Sequence, residues 1–191
     1  MNVGTVAAGR IGLSVLRKLK PFDTKLHYFD KYRLPQDIEE ELNLTYHSDL
    51  ESMLKVCEVI TINCPLYKET ENLFNETTIN KMKKGAYLIN TARGKICDAQ
   101  AVVKALETGQ LSGYAGDVWY PQPAPKDHVW RTMSHNGMTP HTSGTTLSAQ
   151  ARYAAGTREI LECFLAGKEI RDEYYIVKNG KLAGAGAHSY K

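Results

Sequence analysis

The feature that most constrains this chain is a repeated alternation of short apolar runs with amphipathic stretches. "NVGTVA" (2–7) reads as a strand, and "GRIGLSVLRKLK" (9–20) as a helix carrying Ile11, Val15, Leu16 and Leu19 at helical spacing. "KLHYF" (25–29) is a second strand, and "PQDIEEEL" (35–42) opens with proline and acids, as helix N-termini do. "DLESMLKVC" (49–57) reads as a helix and "EVITINCP" (58–65) as a strand halted by Pro65. "NETTINKMKK" (75–84) reads as a helix stopped by Gly85. A strand follows in "AYLINTA" (86–92), then a helix in "DAQAVVKALETG" (98–109) with Asp98 as N-cap. "GYAGDVW" (113–119) is a strand, and "GMTPHTSG" (137–144) a short strand and turn. "TTLSAQARYAAGTREILECFLAG" (145–167) is the longest helix, and the small, polar tail 179–191 is expected to be extended or loose. Such alternation requires helical crossovers between parallel strands. The expected fold is therefore α/β, a doubly wound parallel sheet of about six strands.

In that architecture ligands bind at the carboxyl ends of the strands. Those ends carry Ala7-Ala8-Gly9-Arg10, Asp30, Pro65, Thr91-Ala92-Arg93, Asp117 and His141-Thr142-Ser143-Gly144. "AAGRIG" supplies A-x-G-x-x-G at Ala7, Gly9 and Gly12. Gly9 lets backbone approach a pyrophosphate, Gly12 lets the helix pack closely on the strand, and the helix N-terminus supplies N–H donors. Arg10 can add a phosphate contact. The bland alternative is an ordinary strand–helix turn. Asp30, 18 residues after Gly12 at the end of the second strand, favours the dinucleotide reading of a Rossmann-like fold. A carboxylate there takes the ribose hydroxyls of NAD and repels the 2′-phosphate of NADP, although Asp30 also suits a plain turn acid. Arg93 raises a separate question. A guanidinium at the end of a buried strand is costly unless an anion meets it, and pairing with Asp98 is the structural alternative to a ligand.

Bulk properties exclude several classes. The 191 residues suffice for one domain with a proper core. The net charge of +3 comes from scattered basic residues, so neither nucleic acid nor membrane is expected as a partner. No charged-then-apolar leader signals secretion. Cys57, Cys64, Cys97 and Cys163 lack CxxC spacing and metal-ligand neighbours. They read as reduced thiols, which favours a cytoplasmic home and no metal.

Five segments together carry a resemblance: "TVAAGRIG", "NCPLYKETENLFN", "LINTARGK", "YAGDVWYPQPAPKDHVW" and "MTPHTSGTT". With them the chain closely resembles the NAD-dependent formate dehydrogenases of the D-2-hydroxyacid dehydrogenase superfamily, from residue 2 to the C-terminus; "GAGAHSY" near the end is similar to the bacterial form. The resemblance implies that Arg93 holds and polarises the substrate carboxylate, that His141 stands beside the nicotinamide, and that Gln122 hydrogen-bonds His141. It implies Ala8, Gly9, Arg10 and Ile11 at the pyrophosphate turn and Asp30 at the ribose. It implies Pro65, Leu66, Tyr67, Lys68 and Glu69 over the adenosine side. Thr91, Ala92, Asp117, His141, Thr142, Ser143 and Gly144 fall on the nicotinamide half. A homodimer is implied for the whole enzyme. The family's pattern also implies a substrate lobe ahead of residue 1, with residues 1–143 as the NAD-binding domain and 144–191 as a helix and tail returning to that lobe.

The chemistry of Gln122 discriminates within the superfamily. Oxidising formate to carbon dioxide leaves no hydroxyl proton for a base, whereas a 2-hydroxy acid needs a histidine paired with a carboxylate. In hydroxyacid-oxidising relatives an acid stands where Gln122 does; an amide can only hold a neutral imidazole by hydrogen bonding. Two alternatives stay open: a D-2-hydroxyacid dehydrogenase, and a non-catalytic NAD-binding module like the superfamily's corepressor members. Each residue also has an ordinary reading, His141 as a buried structural histidine and Gln122 as a solvated loop residue.

Overall fold

Seven strands form one all-parallel sheet in the computed structural model, which describes residues 1–175 and 177–182. In chain order they are β1 (Asn2–Val6), β2 (Lys25–Phe29), β3 (Leu44–His47), β4 (Val59–Ile62), β5 (Ala86–Asn90), β6 (Leu111–Gly116) and β7 (Asn136–Met138). The helices are α1 (Arg10–Leu19), α2 (Gln36–Leu42), α3 (Leu50–Leu54), α4 (Glu76–Asn80), α5 (Ala99–Glu107) and α6 (Leu147–Leu165). The spatial order β3-β2-β1-β4-β5-β6-β7 reverses direction between β1 and β4. That reversal is the switch point, where a crevice opens at the strand carboxyl ends.

Burial explains why these runs became strands. Ile60, Ile62 and Leu88 are fully buried, packed with Met53, Leu54 and Phe74 in one continuous core. Each such side chain contributes about 1.5–3 kcal/mol, which holds the strand ends in register at the rim. Local chemistry sets the helix starts. Asp49, Asn75, Asp98 and Thr146 each accept a backbone N–H from the first turn of α3, α4, α5 and α6. α1 begins at Gly9 without a side-chain cap.

Several expectations need correction. The sheet has seven strands rather than about six: β3 is a four-residue strand beside β2 that no long apolar run announces. The helix expected over 75–84 closes at Asn80, because the Lys83 N–H donates to Leu54 O instead of continuing the helical ladder. The strand expected over 113–119 is β6 and ends at Gly116, leaving Asp117 just beyond it. β7 ends at Met138, so His141 lies past the strand with φ +68°. Part of the tail forms a two-strand hairpin, β8 (Val177–Lys178) with β9 (Lys181–Leu182); residues 183–191 fall outside the described residues.

The chain divides into two compact units, Met1–His141 and Thr142–Lys191. The first is the seven-stranded sheet with its helices. In the second, no residue of the 19-residue α6 is buried. Among the described residues no helix is long and apolar enough to cross a membrane.

Candidate functional site

The turn after β1 is held from beneath. The buried Thr5 hydroxyl donates to Ala7 O at 2.9 Å, and Asn63 Nδ2 donates to that hydroxyl at 2.8 Å. Ala7 thereby keeps φ +73°, a left-handed conformation unusual for alanine. A Cβ on Gly12 would lie 2.1 Å from Ala7 O, so only glycine lets α1 approach β1 this closely. A Cβ on Gly9 would meet nothing within 4 Å. The uncapped N-terminus of α1, with Arg10 and Ile11 exposed beside it, thus faces open space. Free N–H donors, a helix dipole and bare backbone together fit a pyrophosphate.

Asp30 closes this turn. Its Oδ2 accepts from the Ala8 N–H at 2.7 Å and its Oδ1 from the Tyr32 N–H at 2.9 Å. Each oxygen has lone-pair capacity left for a ribose hydroxyl. Asp30 is therefore at once a turn acid and a carboxylate fit for ribose. Across the switch point, Pro65 to Glu69 form a turn stapled by Thr70, whose hydroxyl donates to Pro65 O at 2.7 Å and accepts from the Tyr67 N–H at 2.8 Å. Pro65, Tyr67, Lys68 and Glu69 are exposed and Leu66 is half-buried.

Asn90, the fully buried last residue of β5, positions the next site segment. It accepts from the Ala92 N–H at 3.0 Å and donates to Arg93 O at 2.9 Å. Arg93 itself is exposed, as is Thr91, and its Nη1 donates to Ala92 O at 2.6 Å. The argument that a buried guanidinium must meet an anion therefore does not hold: water solvates Arg93. Asp98 is not its partner either, because that carboxylate caps α5 through Gln100 and Ala101. Arg93 stands solvated on the rim with planar donors to offer.

Gly94 brings the Arg93 segment against the next loop. A Cβ there would sit 2.4 Å from the carbonyl carbon of Trp119 and 2.8 Å from the Tyr120 nitrogen. From that contact the chain runs two residues to Gln122, whose Nε2 lies 2.6 Å from His141 Nδ1. The amide nitrogen is the donor, so Nδ1 accepts and the ring proton sits on Nε2. His141 and Gln122 are both exposed. Two bonds bring His141 to this loop: Trp119 Nε1 donates to Thr139 O at 2.9 Å, and the Thr139 hydroxyl donates to the buried Asp117 carboxylate. The loop is anchored further on, where His128 Nδ1 accepts from the Trp130 N–H at 3.1 Å and its Nε2–H donates to Tyr120 O at 3.0 Å. Thr142, Ser143 and Gly144 open the second unit as exposed residues before α6.

Sequence reasoning missed Thr5, Asn63, Asn90, Trp119 and Thr139. Only Asn90 left a signal, an asparagine between a strand and a turn, where its side chain can bond backbone two residues on. All four cysteines are free; Cys57, Cys64 and Cys97 are buried, and burial pushes the Cys57 thiol up to about 12 and that of Cys64 to about 11. Among the described residues no cluster of three or more metal-ligating side chains occurs.

Comparison with known proteins agrees with this geometry. The family model described as the NAD-binding domain of D-isomer specific 2-hydroxyacid dehydrogenases matches residues 1–143. A formate dehydrogenase of Pseudomonas sp. (strain 101) is 68% identical over 190 residues, covering 100% of this chain and 47% of that protein. A mitochondrial formate dehydrogenase of Solanum tuberosum is 50% identical over 182 residues, covering 95% of this chain and 48% of that protein. Among solved structures, a Granulicella m. formate dehydrogenase matches with a TM-score of 0.90 at 67% identity, over 96% of this chain and 49% of that one. An NAD-dependent formate dehydrogenase of Staphylococcus aureus, solved in complex with NAD, matches with a TM-score of 0.79 at 44% identity, over 90% of this chain and 50% of that one. The chain spans about half the length of the curated relatives it matches. It belongs to the D-isomer specific 2-hydroxyacid dehydrogenase family, of which it carries the NAD-binding domain.

Proposed function

We propose that the protein to which this chain belongs oxidises formate to carbon dioxide, passing a hydride to NAD⁺. The observation that carries the reading is the 2.6 Å contact of Gln122 with His141. An amide, not a carboxylate, orients this imidazole. Such a pair can donate a hydrogen bond from Nε2 but is poorly built to collect a hydroxyl proton. Formate asks for no such base, since its anion becomes neutral carbon dioxide when the hydride leaves.

NAD supplies the acceptor carbon, C4 of the nicotinamide. The chain's own residues do the rest. The α1 N-terminus with Gly9, Arg10 and Ile11 takes the pyrophosphate. Asp30 takes the ribose hydroxyls, and the Pro65–Glu69 turn covers the adenosine side. Thr91, Ala92, Asp117 and Thr142 to Gly144 take the nicotinamide half. Arg93 grips the formate carboxylate with two parallel N–H bonds, and His141 Nε2–H orients it from a second side. The whole protein acts as a homodimer in a reducing compartment such as the cytoplasm. Residues 144–191 return to its substrate lobe, and turnover by the 191-residue chain alone is poor.

The test follows absorbance of reduced cofactor in the whole protein, with formate plus NAD⁺ and, separately, 2-keto acids plus NADH. NADH formation from formate, without keto-acid reduction, is expected. Reduction of a keto acid would favour a 2-hydroxyacid dehydrogenase, the reading that family membership supports. Cofactor binding without turnover of any substrate would leave a non-catalytic module.

A further inference from the structure

The turn that follows Asp30 is locked by a carboxylate on α2. Glu39, a buried carboxylate in the first turns of α2, receives both Arg33 Nε at 2.9 Å and Arg33 Nη2 at 2.8 Å. The fully buried Tyr28 hydroxyl also donates to Glu39 and accepts from the Leu34 N–H at 3.0 Å. Arg33 holds the Glu39 carboxyl below the usual carboxylate range. Its guanidinium lies 5.1 Å from the centroid of the Tyr46 ring, yet 63% of its side-chain surface remains exposed. Lys31 lies over the Tyr32 ring at 5.7 Å.

We propose that Glu39 is a specificity-determining residue that acts through Arg33: by neutralising this guanidinium and fixing its direction, it denies a 2′-phosphate the cation it would need. The inference rests on reading the first strand–helix turn and Asp30 as the dinucleotide site. Three features support it. Arg33 lies three residues beyond Asp30, in a turn tied to the end of β2 by the Tyr32 N–H and the Leu34 N–H. In folds of this kind, a nearby arginine is the group that accommodates a 2′-phosphate. A bidentate arginine–carboxylate pair also takes up two of the five N–H donors and offsets the charge that a phosphate would recruit. Rejection of NADP then has two parts: Asp30 repels the phosphate, and Glu39 withholds its counter-charge. Replacing Asp30 alone leaves the second part in place.

The experiment compares dissociation constants of NADH and NADPH for the full chain and for Glu39→Gln, Arg33→Gln and the double variant, with thermal midpoints recorded alongside. Glutamine keeps the shape and the Tyr28 contact and removes the charge. Glu39→Gln is expected to tighten NADPH relative to NADH by about threefold to tenfold, the scale of one charge-assisted contact. Arg33→Gln alone should leave the ratio unchanged, and adding it to Glu39→Gln should erase the gain. If Glu39→Gln does not fold, Glu39→Asp replaces it, with a smaller shift of the same sign. A ratio unmoved by either Glu39 variant would overturn the proposal. So would selective loss of NADPH binding in Arg33→Gln alone, which would mean that the arginine is already available. Failure of the unaltered chain to bind NADH would instead sink the dinucleotide site and this inference together.

Discussion

Gln122 Nε2 lies 2.6 Å from His141 Nδ1, although they stand 19 positions apart in sequence. The contact joins two exposed side chains, one of them at φ +68°. A non-glycine residue in that region costs about 1–2 kcal/mol, and such strain clusters at functional positions. Side-chain bonds to neighbouring backbone hold the segments around both residues, from Trp119 Nε1 to Thr139 O and from His128 Nε2 to Tyr120 O.

Gln122→Glu tests this pairing. A carboxylate at that distance favours the imidazolium. The pH dependence of the formate-dependent rate of the whole protein should differ between the variant and the unaltered form. Rate–pH profiles of the two forms measure it, and superimposable profiles would show that the pair does not govern the chemistry.

Gly12 and Gly9 should separate structure from binding. Gly12→Ala drives a Cβ to 2.1 Å from Ala7 O, so α1 must move off β1. Overpacking of this kind costs about 1–3 kcal/mol, and both the denaturant midpoint and NADH affinity should fall. Gly9→Ala meets nothing within 4 Å. It should cost no more than about 1 kcal/mol as a poorer N-cap, while NADH affinity falls because the new methyl stands where backbone must approach the pyrophosphate. Equal stability losses in the two variants would contradict this division.

Gly94→Ala carries the same logic to the substrate side. The added Cβ would lie 2.4 Å from Trp119 C and 2.5 Å from Trp119 O, both backbone atoms that no rotamer change can relieve. The Trp119–Gln122 segment must shift, at about 1–3 kcal/mol. The signature is a lower urea midpoint together with a changed His141 ring resonance in NMR. An unchanged His141 resonance would show that the two segments are not mechanically linked.

How much of this was legible in the sequence depended on what each residue does. β1, β2 and β4 announced themselves because nearly every position is buried or half-buried, and β5 and β6 because buried residues recur along runs flanked by turn and cap residues. β3 did not: Leu44, Thr45, Tyr46 and His47 sit at the sheet edge with no buried residue among them. Arg93 was readable as a charged residue just after an apolar strand, whereas Gln122 and His141 were readable through the resemblance of the segments that carry them. Thr5 and Thr139 were not, because their hydrogen bonds go to backbone or to a partner that only the sheet register brings within reach. The exposure of Arg93 was also out of reach, since apolar residues before a strand end do not tell whether the next side chain bends into the crevice or out to water.

Acid sensitivity should come from the other end of the sheet. His27 Nδ1 lies 3.0 Å from His47 Nε2, and His27 Nε2 lies 3.2 Å from Asn2 Oδ1. Burial lowers the pKa of both rings; His47 and Lys25 add to the lowering at His27 while Glu58 opposes it, and Asp49 opposes it at His47. A histidine whose folded pKa is depressed leaves stability untouched above the unfolded value of about 6.5. Below that value the unfolded chain binds the proton first, so stability falls until the folded pKa is passed. Thermal midpoints across the acid range should drop below about pH 6.5 and do so less steeply in His27→Gln. Identical slopes in the two proteins would assign the acid response to other groups.

α6 should make the 191-residue chain self-associate. Its length and Thr146 cap favour the helix, yet none of its residues is buried. Leu147, Tyr153, Phe164 and Leu165 expose 84%, 75%, 73% and 74% of their surface. Leu161, Phe164 and Leu165 fall at i, i+3 and i+4, so they share one face, and apolar surface gathered in this way is covered by another molecule when one is available. A second copy of the same helix is always available in a concentrated solution of the chain. Leu161→Gln with Leu165→Gln removes the face with little loss of helix propensity, and no buried contact is sacrificed. Light scattering should give the unaltered chain a mass that rises with concentration above 21.3 kDa, and should return the double variant to that value. A unaltered chain that stays at the monomer mass throughout would mean that the face is too small or too interrupted by charge, as at Arg158 and Glu162, to drive association.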